Sequence, residues 1–434
     1  MKAKAFAFLG LRRGVLATVT AATISFGTIG FAPSAAAIDV RSKQWYLDAM
    51  HVDKIWKKTK GEGMTVAVID SGVNRNTASL KGQVLKGKDL TGSDGDEFND
   101  FNGHGTTMAE LIAGTGAGGG LQGLAPEAKI IPYRVSEHLK PSEERNPNAF
   151  DFEHALEAAA NSDAQIISIS SGNEYYSSAE RRLIRDAHEK GKLVFASAGN
   201  DGDGKNKRHY PAAYPEAVAV AATNPDGKVE EYSQHGDYID LAAPSGDLPR
   251  WCDNTFKRYC MGEGGTSSSA AIASASAALI WSANPDWTAN QVLRVMLESA
   301  GRSEDAKPGS VSNYVGHGVV RPGAHINRGI GKPGDPNINP LTNLPTNETD
   351  APDSDNSPAA EGAEGAGSSG DKSSTPPDGK DTPPKDGSAP DAAASASDAG
   401  SSSSNGALWG IGAVGVLAVV AGAGYAVARK RRSA

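Results

Sequence analysis

Residues 64–74 read MTVAVIDSGVN: a short apolar run without polar alternation, closing on an aspartate and a Ser-Gly pair. A strand with one wetted face would alternate, so this run fits a strand covered on both faces, as in a parallel sheet. Similar runs recur as KIIPYRV (129–135), AQIISIS (164–170), KLVFASAG (192–199), AVAVAAT (217–223) and IDLAAP (239–244). Between them, AFDFEHALEAAANS from Ala149 and SSAERRLIRDAHEKG from Ser177 are amphipathic and near the length a crossover helix needs. Thr288 and Gln291 make a capping-box pattern that opens the helix QVLRVMLESA. The alternation predicts an α/β fold, a doubly wound parallel sheet in a single domain.

The two ends of the 434-residue chain are different materials from its middle. Residues 1–37 carry Lys2, Lys4, Arg12 and Arg13, then an apolar run closing at SAAA, which predicts a secretory signal peptide cut after Ala37. With that cut, 32 residues precede Asp70, too few for a long folding pro-domain. Residues 407–428 are 22 uncharged residues followed by Arg429, Lys430, Arg431 and Arg432, predicting a transmembrane helix with a basic cytoplasmic tail at 429–434. Everything before Ala407 is then outside the cell membrane. Residues 331–406 hold no Phe, Tyr or Trp and 13 acids against 4 bases, which predicts a disordered tether. The globular part is left as residues 38–330.

The net charge is −8, and −7 remains on residues 38–330 once the basic termini and the tether are set aside. Such a surface offers nucleic acid no basic footprint. Cys252 and Cys260 are the only cysteines, and in an exported domain they predict one small-loop disulfide. A zinc site would need more ligands at suitable spacing, and no metal is assigned. Calcium is not assignable: acids crowd SDGDEFND at 93–100, a composition that also suits a solvated loop.

Three places carry candidate chemistry. Open parallel sheets gather reactive residues beyond the carboxyl ends of their strands, and Asp70 ends one such strand. His104 stands between two glycines in NDFNGHGTTMAELIAG, with a pKa range suited to proton transfer. The third place is GGTSSSAAIASASAALIWSANP, 264–285, where serines sit at the start of a helix built almost wholly from small residues. A nucleophile there meets unpaired backbone N–H groups and the positive end of the helix dipole. Each residue alone has an ordinary structural reading, as a turn, a loop or a cap. Together, in the order Asp, His, Ser, they supply an orienting carboxylate, a base and a hydroxyl nucleophile.

The ordered segments VAVIDSGVN, NGHGT, GLAPEAKIIPYRV, IISISSGN, FASAGNDG, YPAAYPEAVAVAAT, YSQHGDYIDLAAPSGD, GTSSSAA and GHGVV cover nearly all of the globular part. Through them the chain resembles the subtilisin-like serine proteases. The resemblance implies a serine endopeptidase acting on polypeptides, with no cofactor. Asp70 would orient, His104 would act as general base and acid, and Ser267 would be the nucleophile. Asn200 would donate to the oxyanion, and Ser170, Ser171 and Gly172 would pair with the substrate backbone. Within the family the chain is similar to the mycosins, membrane-anchored proteases of type VII secretion systems, through RSKQWYLDAMHVDKIWKKTKGEGMTVAVIDSGVN (41–74) and the anchored tail. That implies secretion-system membrane components as partners.

Five residues depart from the family pattern: Thr107 and Glu110 after the histidine, Ser268 and Ala271 after the nucleophile, and Arg321 after GHGVV. With the lack of room for a pro-domain, they leave open a structural subunit of a secretion complex with dispensable proteolysis; a secreted degradative protease is a third reading, which that same lack weighs against.

Overall fold

The computed structural model describes residues 39–135, 151–262, 264–303, 305–307 and 309–347. The segments read as signal peptide, transmembrane helix and basic tail, with the tether beyond residue 347, lie outside the described residues. No helix among the described residues is long and apolar enough to cross a membrane.

Seven parallel strands form the sheet: β1 (Thr65–Asp70), β2 (Lys88–Asp89), β3 (Lys129–Arg134), β4 (Ile166–Ile169), β5 (Leu193–Ser197), β6 (Val218–Thr223) and β7 (Leu241–Pro244). All six unalternating runs of the sequence became strands. A hairpin of β8 (Pro249–Trp251) and β9 (Tyr259–Met261) stands apart as a two-stranded antiparallel ribbon. The helices are α1 (Trp45–Ala49), α2 (Val52–Ile55), α3 (His104–Ala113), α4 (Asp151–Ala160), α5 (Ser178–Glu189), α6 (Thr266–Ser282), α7 (Ala289–Ser299) and α8 (Pro322–Arg328).

Side chains alternate across the sheet, and the two faces bury separate cores. Val66 and Val68 of β1 pack with apolar residues of α3, α6 and α7, while Ala67 and Ile69 face α4 and α5. This is the double winding that the sequence predicts. Helix ends follow local chemistry as well: Ser177 Oγ accepts from the Glu180 N–H at 3.2 Å, and Thr288 with Gln291 closes the capping box of α7.

The strand order is β2-β3-β1-β4-β5-β6-β7. From β1 the chain crosses to the edge strand β2, comes back to lay β3 beside β1, and then places β4 on the other side of β1, so the winding reverses at β1. Beyond the carboxyl ends of β1 and β4 the connections diverge and leave a crevice. Asp70 is the last residue of β1 and Ser170 follows β4 directly.

Helix α6 is buried from Thr266 to Trp281, packed against β4, β5, β6, β7 and α3. Its small side chains let a helix lie deep over the sheet. Its serines satisfy their hydroxyls locally: Ser269 donates to the Ala243 carbonyl at 2.9 Å, while Ser274 and Ser276 bond back to Ala270 and Ile272 at 2.8 Å. Ala271, one of the departures, is a fully buried part of this contact.

Residues 331–347 fall in the stretch read as tether, yet they lie along α7. Asn290 Nδ2 donates to the Pro336 carbonyl at 3.0 Å and to Thr346 Oγ1 at 2.7 Å, and the Lys332 N–H reaches Glu298 Oε2 at 2.9 Å. Leu341 packs on the core and Asn339 is buried. Their polar composition hid this ordering, because hydrogen bonds to α7 supply it rather than an apolar face.

Enlarging a small residue of α6 is expected to overpack this interface. Ala273→Leu should lower the unfolding free energy by about 1–3 kcal/mol, read from chemical denaturation.

Candidate active site

Asp70 is 1% exposed at the end of the central strand. Its Oδ1 accepts the Ser71 N–H at 2.7 Å and lies 2.7 Å from His104 Nδ1. A buried carboxylate needs such partners, since burial of an unpaired charge is costly. With the proton on Nδ1, the neutral imidazole keeps Nε2 as the basic nitrogen.

The loop that delivers His104 is organised by Asp100, a residue sequence reasoning passed over as one acid among several. Asp100 Oδ1 accepts from Gly103 N–H at 2.9 Å, Asn102 N–H at 3.1 Å and Ser71 Oγ at 2.9 Å. Its Oδ2 accepts from Thr106 N–H at 2.9 Å and Thr106 Oγ1 at 2.6 Å. Asp followed three residues later by Gly is the turn signature that could have found it. Gly103 adopts φ 85°, a left-handed conformation that other residues avoid. At Gly105 a Cβ would overlap the Gly72 carbonyl and crowd Asp70 Oδ1, so only glycine lets α3 sit this close to the carboxylate.

Burial by itself would lower the His104 pKa. The charge and hydrogen bond of Asp70, joined by the charge of Asp100, outweigh it and leave the pKa above its ordinary value, with Arg250 opposing.

Ser267 is the second residue of α6, whose first turn has N–H groups without intrahelical acceptors. Its Oγ donates to the Ser170 carbonyl at 3.1 Å instead of to the imidazole. Asn200 is tied to the same helix start: its Oδ1 accepts the Thr266 N–H and Oγ1, both at 2.9 Å, and Gly199 N–H donates to Thr266 Oγ1 at 3.1 Å. Those two donors fix which way the amide faces. Nδ2, with both hydrogens uncommitted to Thr266, stands 3.6 Å from where a Cβ on Gly265 would be.

Ser170 and Ser171 are buried at the mouth of β4. Gly172 lies under the backbone of Tyr210, and the next residue, Asn173, exchanges both backbone hydrogen bonds with Tyr210, at 2.9 and 2.8 Å. The structure thus joins Asp70 to His104, and Ser267 to Ser170. Through Thr266, Asn200 joins the same helix start.

The family model of the subtilases (peptidase S8) matches residues 61–318. The chain belongs to the subtilase family. It is a subtilisin-like serine endopeptidase. It is 32% identical over 220 residues to the major intracellular serine protease of Bacillus subtilis (strain 168), a match covering 49% of this chain and 67% of that protein. Among solved structures it resembles MycP1 from Mycobacterium smegmatis, with a TM-score of 0.56 and 27% identity over 67% of this chain and 86% of that one. It also resembles the MycP3 protease from the type VII (ESX-3) secretion system, with a TM-score of 0.55 and 27% identity over 65% of this chain and 87% of that one.

Beside its histidine helix this subtilase carries the disulfide that the sequence predicts, set in a hairpin whose contacts with the helix the sequence did not reveal. Cys252 and Cys260 are disulfide-bonded and close the β8–β9 hairpin. Trp251 N–H donates to Thr107 Oγ1 at 3.2 Å, Tyr259 OH to Glu110 Oε2 at 2.8 Å, and Thr77 Oγ1 to Glu110 Oε1 at 2.8 Å. Trp251 and Tyr259 stack with ring centroids 3.9 Å apart. The departures at Thr107 and Glu110 are therefore the α3 side of a contact whose other side is the hairpin. Of the acids at 93–100, Asp100 is spent on the His104 loop, and Glu97 Oε1 accepts the Gly87 N–H at 3.2 Å. Among the described residues no cluster of three or more His, Cys, Asp or Glu is placed to hold a metal ion.

Burial pushes the Glu110 carboxyl up to about 7, against hydrogen bonds from Thr77 and Tyr259 that favour its charged form. The folded state then holds this proton more tightly than the unfolded chain, so stability is fully present below pH 4.5 and falls as pH rises towards about 7. The displacement corresponds to roughly 3 kcal/mol. Glu110→Gln should remove that component. Denaturation near pH 5 and near pH 8 should move the variant's stability, relative to the wild type, upward by about this amount, whereas a pH-independent difference would contradict the assignment.

Proposed function

We propose that this subtilase is a membrane-anchored endopeptidase acting outside the cell in the service of type VII protein secretion, with Asp70, His104 and Ser267 as its catalytic triad. The Asp70–His104 pair at the switch point carries the reading. Asp70 holds the imidazole in the tautomer whose Nε2 can take a proton, and stabilises the imidazolium that results. Rotation of the Ser267 hydroxyl from the Ser170 carbonyl towards Nε2 would pass that proton to His104 as Oγ attacks the scissile carbonyl. The imidazolium then protonates the leaving amine, and water repeats the sequence on the acyl-enzyme.

Charge that develops on the carbonyl oxygen would be received by the Ser267 N–H and by Asn200 Nδ2, an amide already oriented by Thr266. Preorganised donors of this kind need no rearrangement when the charge appears. Asn200→Ala is expected to lower kcat by about 10²–10³ with little change in KM. The segment of Ser170, Ser171 and Gly172 would take an extended substrate as an added strand.

The apolar 407–428 segment with its basic tail supports the anchor, and the likeness to MycP1 and MycP3 supports the secretion role. Two assays of Ser267→Ala test the proposal. The purified variant should fold yet lose amidolysis and labelling by serine-directed reagents. A deletion strain complemented with it should show impaired processing of secreted substrates, and unimpaired processing together with normal secretion would reduce the protein's role to scaffolding.

A further inference from the structure

The β8–β9 hairpin is a cationic island in an acidic molecule. It presents exposed Arg250, Lys257 and Arg258 against Asp253, in a chain of net charge −8. Along β8, Pro249 and Trp251 are buried and Arg250 between them is exposed. The alternation of the strand turns Trp251 onto α3 and Arg250 away from it.

The position of β8 and one side-chain contact locate Arg250. On one side, Trp251 is bonded to Thr107, and its Cβ stands 3.0 Å from where a Cβ on Gly103 would be, one residue before His104. On the other, Arg250 is the register partner of Cys260, and its Cδ lies 2.8 Å from the Cβ position of Gly262, five residues before Ser267. Arg250 therefore lies against the segment that leads to the nucleophile, on a strand whose next residue packs beside the residue that precedes the base. His104 feels its charge, which opposes those of Asp70 and Asp100. No ion pair joins Arg250 to any described residue. Glu263, next after Gly262, lies outside the described residues.

We propose that Arg250 is a specificity-determining residue, receiving an acidic side chain of the polypeptide substrate close to the scissile bond. This rests on the reading of His104 and Ser267 as the reacting pair. A guanidinium presents a planar fork that matches a carboxylate with two parallel hydrogen bonds. Exposed ion pairs contribute little, but a bound substrate covers the cleft and excludes water from this one, which strengthens it. The preference for Asp or Glu over Asn or Gln should be on the order of tenfold in kcat/KM.

The test uses the purified full chain and a library of internally quenched peptides, randomised on both sides of the cleaved bond. Wild type should favour an acidic residue at one position. Arg250→Gln should lose that preference and Arg250→Glu should convert it to one for Lys or Arg. On a neutral peptide, removing the cation raises the His104 pKa, so the acid limb of kcat/KM should shift to higher pH in both variants. Active wild type without the preference, or a preference that survives both substitutions, overturns the proposal. If one variant fails to fold, the other decides. A wild-type chain that cleaves no peptide and ignores serine-directed probes would instead refute the catalytic reading.

Discussion

One carboxylate is buried where it must be met by hydrogen-bond donors, and the candidate active site is arranged around that requirement. Asp70 closes the central strand where the winding of the sheet reverses, which is where an open parallel sheet leaves a crevice. Its negative charge is tolerable there because Ser71 N–H and His104 Nδ1 meet it at 2.7 Å. Bringing a helix start that close to a carboxylate demands glycine at 103 and 105. It also demands a loop whose own polar groups are satisfied, which Asp100 provides.

His104 is thereby surrounded by buried acids. Asp100, whose own pKa burial raises, adds to the field of Asp70 and makes the imidazole more basic than in water. Arg250 works in the opposite direction. The balance between these neighbours, more than any one contact, sets how readily the His104 imidazole gives up its proton. A pocketed histidine without them would be less basic, since desolvation alone disfavours the imidazolium.

The disulfide hairpin adds a second support to the same helix. Thr107 and Glu110, departures from the family pattern along one helix, are each committed to a partner on β8 or β9. Glu110 is fully buried and reaches Tyr259, so the hairpin cannot lift without exposing a carboxyl that has been tuned for its pocket. Because the hairpin leads directly into the residues before Ser267, it ties the histidine helix to the start of α6 as well as to the disulfide.

The amino-acid order alone determined the parallel sheet, the two crossover helices, the capping box of α7 and three places of candidate chemistry, at Asp70, His104 and the serines opening 264–285, while Asn200 and the choice of Ser267 came from the family resemblance. Those features are local: unbroken apolar runs, 3.6-residue periodicity, glycines flanking a histidine, small residues along one helix. Asp100, which builds the histidine loop, is marked only by the glycine three residues after it, a faint signal among so many acids. The sequence could not show that Glu110 meets Tyr259 across 149 residues of chain, or that residues 331–347 lie along α7. These last two contacts join groups far apart in sequence, each of which has an unremarkable solvated reading by itself. Only tertiary packing removes water from them, and that loss of water turns an ordinary acid into one that accepts five hydrogen bonds or holds its proton near neutrality.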